Sequence, residues 1–298
     1  MLKSLRGLFA SPRDEQRDAP AKPEEVTLAK ALERDWLELW YQAKVSFQNT
    51  AQVVGAEGLI RLRHPERGVL GPGAFLPGAS DDDMLAMTER VITVALRDWD
   101  DVAAHGMGAL QLAVNVPASA FVKLPIVRLI NEGRPRAQEW PGLILEVTED
   151  QVVNDLDMAN DVANELREMS CGLAIDDFGA GYSSLARLRQ LPFTELKIDR
   201  AYVANCDSDR MMAGVLESIV ELARRFDLKS VAEGVETPRE SHKLQGIGCN
   251  VGQGFLFAKP MPKDEFLTKF GRKVSAPKVE PPRPWWRLGA APKLKAAR

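Results

Sequence analysis

Residues 172–178 and 195–199 read GLAIDDF and ELKID, and these two short runs indicate the fold. Each run has apolar residues and ends on charged ones, Asp176 and Asp177 in the first and Lys197 and Asp199 in the second. Short apolar runs of this length are typical of buried strands. We therefore predict two strands of one sheet whose ends carry charged side chains.

Similar runs recur along the chain and alternate with amphipathic stretches. The strand-like runs are VVGAEGLIRL at 53–62, LQLAVNV at 110–116, LILEVTE at 143–149, KSVAEGVE at 229–236 and GQGFLFA at 252–258. Helix-like stretches occupy 84–99, 157–169 and 212–226, and the segment ALERDWLELW at 31–40 also reads as helical. Strands that alternate with helices predict a parallel sheet with right-handed crossovers. The number of units favours an α/β fold of the (β/α)8 TIM-like barrel type over an open doubly wound sheet.

Composition divides the chain into one domain and two tails. Residues 1–26 predict a flexible N-terminal segment and 27–271 the barrel. Residues 272–298 carry eight Lys or Arg, one acid and five prolines, which predicts a disordered tail. Its Trp285–Trp286 pair, flanked by arginines, would suit a membrane surface or a protein partner, with a solubilising tail as the alternative.

Bulk properties exclude several classes of protein. Hydrophobic residues make up 45% and charged residues 27% of the chain, which is ordinary for a globular protein. A formal net charge of −3 argues against a DNA-binding protein. Cys171, Cys206 and Cys249 are too far apart in sequence for a metal-ligand pair or a disulfide framework, which predicts a cytoplasmic protein. No apolar run approaches the roughly 18–20 residues that a membrane span requires.

Polar residues recur at the ends of the strand-like runs. They are Glu57, Asn115, Glu146, Asp176 with Asp177, Lys197 with Asp199, Glu233 with Glu236, and Gln253. Most of these groups are separated by about one β/α unit. Because the strand ends of a barrel meet on the face where active sites lie, the pattern predicts one pocket that holds five or more carboxylates.

Such a cluster of carboxylates needs cations, because like charges raise one another's pKa. Ligand sets made of oxygen alone favour Mg²⁺ or Mn²⁺ over Zn²⁺. The adjacent Asp176 and Asp177 suit a site with two ions, which together hydrolyse phosphodiesters in other enzymes. Lys197 would add positive charge near the developing phosphorane or hold the attacking water.

Each of these residues also has a simpler interpretation. A glutamate in a strand can be a rim residue, and Asp176–Asp177 can end a strand in a turn. Asn115 can cap a turn, and Lys197 can point into solvent. Their joint placement at successive strand ends favours the metal site.

The motifs together resemble the EAL-domain phosphodiesterase family over about Leu28 to Phe266. They are WYQAKV, GAEGLIRLRHPERGVLGPGAFLP, LAVNVP, LEVTED, IDDFGAGYSSL, LKIDRAYV, AEGVET and GCNVGQGFLFAKPMP, in family order. The resemblance implies a barrel fold, the cyclic dinucleotide c-di-GMP as substrate and linear pGpG as product. It also implies a homodimer through the face that bears FGAGYSS.

The resemblance further implies roles for individual residues. The metal ligands would be Glu57, Asn115, Glu146 and Asp176 for one ion, with Asp176 shared and Asp177 and Glu233 added for the other. The catalytic set would be Glu57, Glu233 and Lys197, with either Glu233 or Lys197 assisting the attacking water. The substrate contacts would be Gln42, Arg61 and Gln253, with Asp199 and Glu236 as either substrate contacts or partners in structural salt bridges. Glu149 would anchor the loop that positions Asp177.

Three departures from the family pattern are visible. The signature tripeptide is Glu57-Gly58-Leu59 in place of Glu-Ala-Leu, and Pro117 stands where a serine is usual. The segment 78–83, GASDDD, replaces the usual Ala-Glu pair, and we expect it to remodel a loop beside the substrate entrance. Every residue that the resemblance implies as a metal ligand is present.

The sequence therefore predicts a bacterial cytoplasmic phosphodiesterase that uses two Mg²⁺ or Mn²⁺ ions to hydrolyse c-di-GMP. Two alternatives differ from it in kind. One is a receptor that binds c-di-GMP without hydrolysing it, and the other is a protein-interaction scaffold that acts through its tails.

Overall fold

The computed structural model describes residues 26–48, 52–137, 140–148, 155–179, 188 and 191–271. In this part of the chain one sheet contains ten strands. The strands are β1 (Leu37–Ser46), β2 (Val53–His64), β3 (Gly68–Leu70), β4 (Gln111–Asn115), β5 (Leu143–Thr148), β6 (Gly172–Phe178), β7 (Glu195–Ile198), β8 (Lys229–Ala232), β9 (Val251–Gln253) and β10 (Met261–Pro262).

Eight of these strands close into a barrel. Their order around the ring is β1-β2-β4-β5-β6-β7-β8-β9, and β1 closes it by pairing with both β2 and β9. The strands from β2 to β9 in this ring are mutually parallel. β3 and β10 lie outside the ring and pair with β2 and β1. The predicted TIM-like α/β barrel is confirmed.

The first barrel strand departs from the predicted pattern. The segment 31–40 is not a helix throughout, and β1 runs antiparallel to both of its neighbours. The helix that Thr27 caps ends at Glu33, and Asp35 adopts a positive φ of 54° that turns the chain. From Leu37 onward the apolar residues alternate with period two, which is a strand pattern. The mixed spacing of apolar residues in 31–40 therefore belongs to two elements.

Helices cover the outside of the barrel. They are α1 (Leu28–Glu33), α2 (Asp81–Val102), α3 (Ala120–Lys123), α4 (Ile126–Gly133), α5 (Leu156–Glu168), α6 (Arg200–Val203), α7 (Arg210–Arg225), α8 (Pro238–Gly246) and α9 (Lys263–Phe270). The described residues also form a 3₁₀ turn at Pro72–Ala74 and a π-helical turn at Ala103–Met107. None of the helices in the described part of the chain combines the length and the apolar character needed to cross a bilayer.

Side-chain caps fix where the long helices begin. Ser80 Oγ accepts a hydrogen bond from the backbone N–H of Asp83, so α2 begins three residues before the apolar pattern does. Asp155 and Asp209 cap α5 and α7 in the same way. Each cap satisfies N–H groups that have no partner inside the helix.

Strand alternation divides the side chains between two cores. On β5, Leu143, Leu145 and Val147 point outward and pack against the helices. Ile144 points inward and forms a small apolar layer inside the barrel. The other members of that layer are Ala113 and Ala174. Each of the three residues precedes a polar residue of the predicted site by two positions, so the residues that follow them also point into the barrel.

We expect Gly254→Ala to destabilise the fold, because a Cβ at this position would overlap the backbone of Val235. Overpacking of this kind costs about 1–3 kcal/mol of unfolding free energy. The matched control is Gly214→Ala in α7, where a Cβ meets nothing within 4 Å. The control should gain about 1 kcal/mol from helix propensity. Urea denaturation measures both changes, and equal stabilities for the two variants would contradict this packing.

Candidate active site

Lys197 lies at the centre of the residues that the sequence analysis singled out, and only 1% of its surface is exposed. Its Nζ contacts Glu146 Oε2 at 2.6 Å, Glu233 Oε1 at 2.7 Å, Asp176 Oδ1 at 2.9 Å and Glu57 Oε2 at 3.7 Å. A buried ammonium without such partners would be strongly destabilising. The interpretation of Lys197 as a solvent-facing residue is wrong.

β7 places Lys197 by simple alternation. Leu196 and Ile198 are fully buried in the hydrophobic cluster outside the barrel, so Lys197 points inward. Burial by itself lowers the pKa of Lys197, but the charges of Glu146 and the other carboxylates outweigh it and raise the pKa well above its ordinary value. Lys197 is therefore an ammonium group under physiological conditions.

Glu146 is held by two lysines, one on each carboxylate oxygen. Lys44 Nζ lies 2.6 Å from Oε1, and Lys197 Nζ lies 2.6 Å from Oε2. Burial raises the pKa of Glu146, but the two ammonium groups outweigh it and lower the pKa to about 2. The sequence analysis missed Lys44. The signal for it was period-two alternation on β1, where Lys44 shares a face with Gln42.

Glu57 is bound by two amide side chains. Asn115 Nδ2 donates to Glu57 Oε1 at 2.8 Å, and Gln253 Nε2 donates to Glu57 Oε2 at 2.5 Å. Gln253 Nε2 also contacts Gln42 Oε1 at 3.1 Å. Burial and the charge of Glu146 raise the pKa of Glu57. Gln253 Oε1 is buried and has no hydrogen-bond partner among the described residues.

Glu57 lies inside a strand and not at its end, contrary to the sequence interpretation. β2 continues to His64, because beyond the barrel it still pairs with β1 and β3. The residue is nevertheless part of the site, because its carboxylate accepts hydrogen bonds from Asn115 and Gln253.

Asp176, Asp177 and Glu233 form a cluster in which one oxygen from each lies within 4.8 Å of the others. Asp177 has a positive φ of 53°, and its backbone N–H donates to Asp176 Oδ1 at 3.0 Å. Gly179 lies two residues after Asp177, and its carbonyl oxygen accepts a hydrogen bond from the Tyr202 hydroxyl at 2.5 Å. This contact, which the sequence analysis did not foresee, fixes the chain just after the cluster.

The carboxyl group of Glu233 is strongly perturbed by its surroundings. Burial raises its pKa, the ammonium of Lys197 opposes this, and the charges of Asp176 and Glu57 add to it, which leaves the pKa at about 8. The group therefore exchanges a proton close to neutral pH when no cation is bound.

The donor set fits divalent cations with a preference for oxygen. Its members are Glu57, Asn115, Glu146, Asp176, Asp177 and Glu233. Asn115 uses its Nδ2 on Glu57, which leaves its carbonyl oxygen as the ligand atom. The buried negative charges exceed the two lysines that balance them, and this imbalance favours cation binding.

A cavity of about 270 Å³ adjoins the carboxylates. Arg61, Met84, Leu76 and Val116 line it, together with Asn115 and Glu146 of the predicted metal-ligand set. The Arg61 guanidinium lies 5.8 Å from the centre of the Trp40 ring and donates to the carbonyl oxygen of Ile60. An apolar pocket with one cation beside a metal-binding cluster suits a flat, phosphorylated ligand.

Asp199 and Glu236 make local structural contacts. Asp199 Oδ1 accepts the backbone N–H of Ala201 at 2.8 Å and caps α6. Glu236 Oε1 lies 2.8 Å from Arg200 Nη2. Glu149 and most of the segment FGAGYSS lie outside the described residues, so the anchoring role of Glu149 stays a prediction.

Comparisons with known proteins show the family. The family model described as "EAL domain" matches residues 25–260. The chain is 40% identical over 242 residues to the bifunctional diguanylate cyclase/cyclic di-GMP phosphodiesterase MucR of Pseudomonas aeruginosa, over 80% of this chain and 35% of MucR. The chain belongs to the EAL domain family.

Two further relatives agree. The cyclic di-GMP phosphodiesterase RocR of Pseudomonas aeruginosa is 33% identical over 82% of this chain and 62% of its own length. The solved structure of the PaMucR phosphodiesterase in a c-di-GMP complex has a TM-score of 0.71 and 39% identity, over 80% of this chain and 97% of that chain. The chain spans about a third of the length of the first curated relatives that it matches.

The structure explains two of the departures from the EAL pattern. A Cβ on Gly58 would lie 3.3 Å from Leu39 Cδ1 and 3.4 Å from the carbonyl oxygen of Ala113, so glycine relieves tight packing behind Glu57. The segment 78–83 contains Ser80, which caps α2, and three aspartates, which lie in the first turn of that helix. The helix dipole favours negative charge at this end. The segment therefore forms the start of α2, and its effect on the substrate entrance stays a prediction.

We predict that Lys197→Met destabilises the protein in the presence of a chelator, because it leaves the carboxylates without their shared counter-charge. Loss of one partner of a buried ion pair costs about 3–5 kcal/mol. Added Mn²⁺ should restore much of this loss. Lys243→Met, which removes a surface ion pair with Glu217, should cost about 1 kcal/mol or less. Equal thermal stability of the two variants in chelator would contradict the central role of Lys197.

We also predict that Mn²⁺ binding releases about one proton near pH 7. Because the pKa of Glu233 is about 8 when no cation is bound, the group is largely protonated at pH 7 and must ionise to become a ligand. Apparent affinity should therefore rise with pH and level off above pH 8. Calorimetry in two buffers of different ionisation enthalpy measures the release. Glu233→Gln should abolish it, and an unchanged release in that variant would assign the proton to another group.

Proposed function

We propose that this chain is a metal-dependent phosphodiesterase that hydrolyses c-di-GMP to pGpG. The observation that carries the proposal is the cluster of Asp176, Asp177 and Glu233 next to Glu57 and Glu146, around the buried Lys197. Relatives named as cyclic di-GMP phosphodiesterases, and the PaMucR complex with c-di-GMP, support it.

We assign the ligands to two groups, as the family resemblance implies. Glu57, Asn115, Glu146 and Asp176 would hold one Mg²⁺ or Mn²⁺ ion. Asp176, Asp177 and Glu233 would hold the other. Two such ions activate a water molecule and stabilise the leaving oxygen of a phosphodiester.

The protein's own groups divide the remaining chemistry between them. Glu233 would be ionised once it holds a metal ion, and its carboxylate, which lies among the ligands, would accept the proton of the attacking water. Lys197 lies 2.7 Å from Glu233 Oε1 and stays charged, so it holds that carboxylate in place and offsets charge that develops on the phosphate. We therefore assign the base to Glu233 and the electrostatic role to Lys197.

The substrate would lie across the open end of the barrel. Arg61 would grip a phosphate, and the apolar cavity beside it would take a base. Gln253, with its unpartnered Oε1 next to Gln42, would accept a hydrogen bond from the nucleotide. Asp199 and Glu236 would shape the rim through the contacts that they make with α6 and Arg200.

The remaining predictions concern the setting of the enzyme. The three cysteines are buried free thiols, which supports a reducing compartment such as the cytoplasm. The homodimer, the domain limits of 27 and 271, and a membrane or protein partner for residues 272–298 stay predictions. Most of FGAGYSS and nearly all of both tails lie outside the described residues.

To test the proposal, the protein is incubated with c-di-GMP and Mg²⁺ or Mn²⁺, and the nucleotides are then separated and measured by chromatography. We expect metal-dependent formation of pGpG, and Glu233→Gln should lower kcat by about 10²–10⁴-fold because it removes a general base. Glu221→Gln, which alters an exposed carboxylate that pairs with Arg224 and Arg225 on α7, should leave kcat unchanged. Binding of c-di-GMP without turnover would favour the receptor, and neither binding nor turnover would favour the scaffold.

A further inference from the structure

Lys44 is a second buried lysine, and it approaches the site from the closing strand of the barrel. It is 4% exposed and lies on β1, the antiparallel strand. Its Nζ contacts Glu146 Oε1 at 2.6 Å and Glu195 Oε2 at 3.6 Å. Glu195 precedes Lys197 by two residues on β7, so Lys44 bridges the metal-binding level and the level below it.

The surrounding backbone fixes the position of Lys44. Its register partners are Gly55 on β2 and Gln253 on β9. A Cβ on Gly55 would lie 3.6 Å from both Cβ and Cδ of Lys44, so the lysine stem packs directly along that strand. From below, Glu195 is held through its other oxygen by Lys229 at 3.1 Å. The ammonium therefore cannot move far from Glu146 Oε1.

The two lysines on Glu146 differ in what they can contact instead. Lys197 has three further carboxylates, Asp176, Glu233 and Glu57, within 3.7 Å. Lys44 has one further carboxylate within 4 Å among the described residues, Glu195, at 3.6 Å, whereas Lys197 keeps Asp176 and Glu233 at 2.9 and 2.7 Å. A cation that takes Oε2 leaves Lys197 with good partners, whereas a cation that takes Oε1 leaves Lys44 buried with a distant one.

We infer that Lys44 restricts Glu146 to one ligating oxygen, Oε2, and thereby selects Mg²⁺ and Mn²⁺ over Ca²⁺. Ca²⁺ readily takes both oxygens of a carboxylate and accepts six to eight ligands, whereas Mg²⁺ requires near-octahedral geometry with shorter bonds. Both oxygens of Glu146 contact an ammonium group, but Lys197 has other carboxylates to turn to, so a carboxylate that keeps Oε1 on Lys44 and gives Oε2 to the ion suits Mg²⁺ and Mn²⁺. Lys44 is thus a positioning residue, and the inference rests on the metal site of the proposed function.

Lys44→Met tests this inference by metal binding alone, without nucleotide. Free Mn²⁺ is followed by electron paramagnetic resonance, with Mg²⁺ and Ca²⁺ as competitors. Removal of one positive charge changes the affinity of all divalent ions in the same direction, so the ratio of the Mg²⁺ and Ca²⁺ dissociation constants isolates the geometry. We expect this ratio to shift about tenfold towards Ca²⁺ in Lys44→Met.

Lys229→Met is the matched control, because it removes a lysine from Glu195 and leaves the contact between Lys44 and Glu146 in place. Its ratio should equal that of the wild type. A ratio in Lys44→Met that also equals the wild type, with Mn²⁺ still bound, would overturn the inference and leave the proposed function standing. Wild-type protein that binds no Mn²⁺ would overturn both.

A crystal structure of the wild type with Mn²⁺ tests the same inference without any variant, in case Lys44→Met does not fold. We expect Oε2 of Glu146 to bind the ion while Oε1 stays within hydrogen-bond distance of Lys44. Two oxygens of Glu146 on one ion would contradict the assignment.

Discussion

The ion-pair cluster around Lys197 is the interaction on which the rest of the site depends. Four carboxylates point into the interior of one barrel, where like charges repel and water is scarce. A single ammonium at 2.6–3.7 Å from all four makes this arrangement possible before any metal binds. Metal ions can take the place of the Lys197 ammonium, because the carboxylate oxygens that would bind them already lie close together. Stability of the unliganded fold and affinity for metal thus come from one set of charges.

The closed barrel fixes the strand from which each side chain of the site enters. Parallel strands β4, β5 and β6 place Asn115, Glu146 and Asp176 on one inward face, two residues above an apolar layer. The antiparallel β1 brings Gln42 and Lys44 to that level from the opposite chain direction. Close approach at Gly254 joins the end of β9 to the segment after Glu233, since Val235 donates its backbone N–H to the carbonyl oxygen of Gln253.

Sequence patterns predicted the parts of this structure that depend on local order. Apolar runs with polar ends placed Glu146, Asp176 and Lys197 on successive strands, because strand ends and turns carry that signal. The sequence did not predict β1. The segment 31–40 contains the end of a short helix and the start of a strand, so its apolar residues follow neither period over the whole segment. Lys44 and Glu195 were missed for a different reason. Each looks like an ordinary solvated residue in sequence, and only closure of the ring brings them together.

Anomalous diffraction from crystals grown with Mn²⁺ and a non-hydrolysable analogue of c-di-GMP would show whether the carboxylates around Lys197 bind metal ions. We predict two manganese peaks about 3.5–4 Å apart, bridged by Asp176, with Lys197 displaced from at least one carboxylate. A map with no manganese among these carboxylates, and Lys197 still in contact with all four, would contradict it. In that case the charge cluster would be a structural element of the barrel and not a catalytic one.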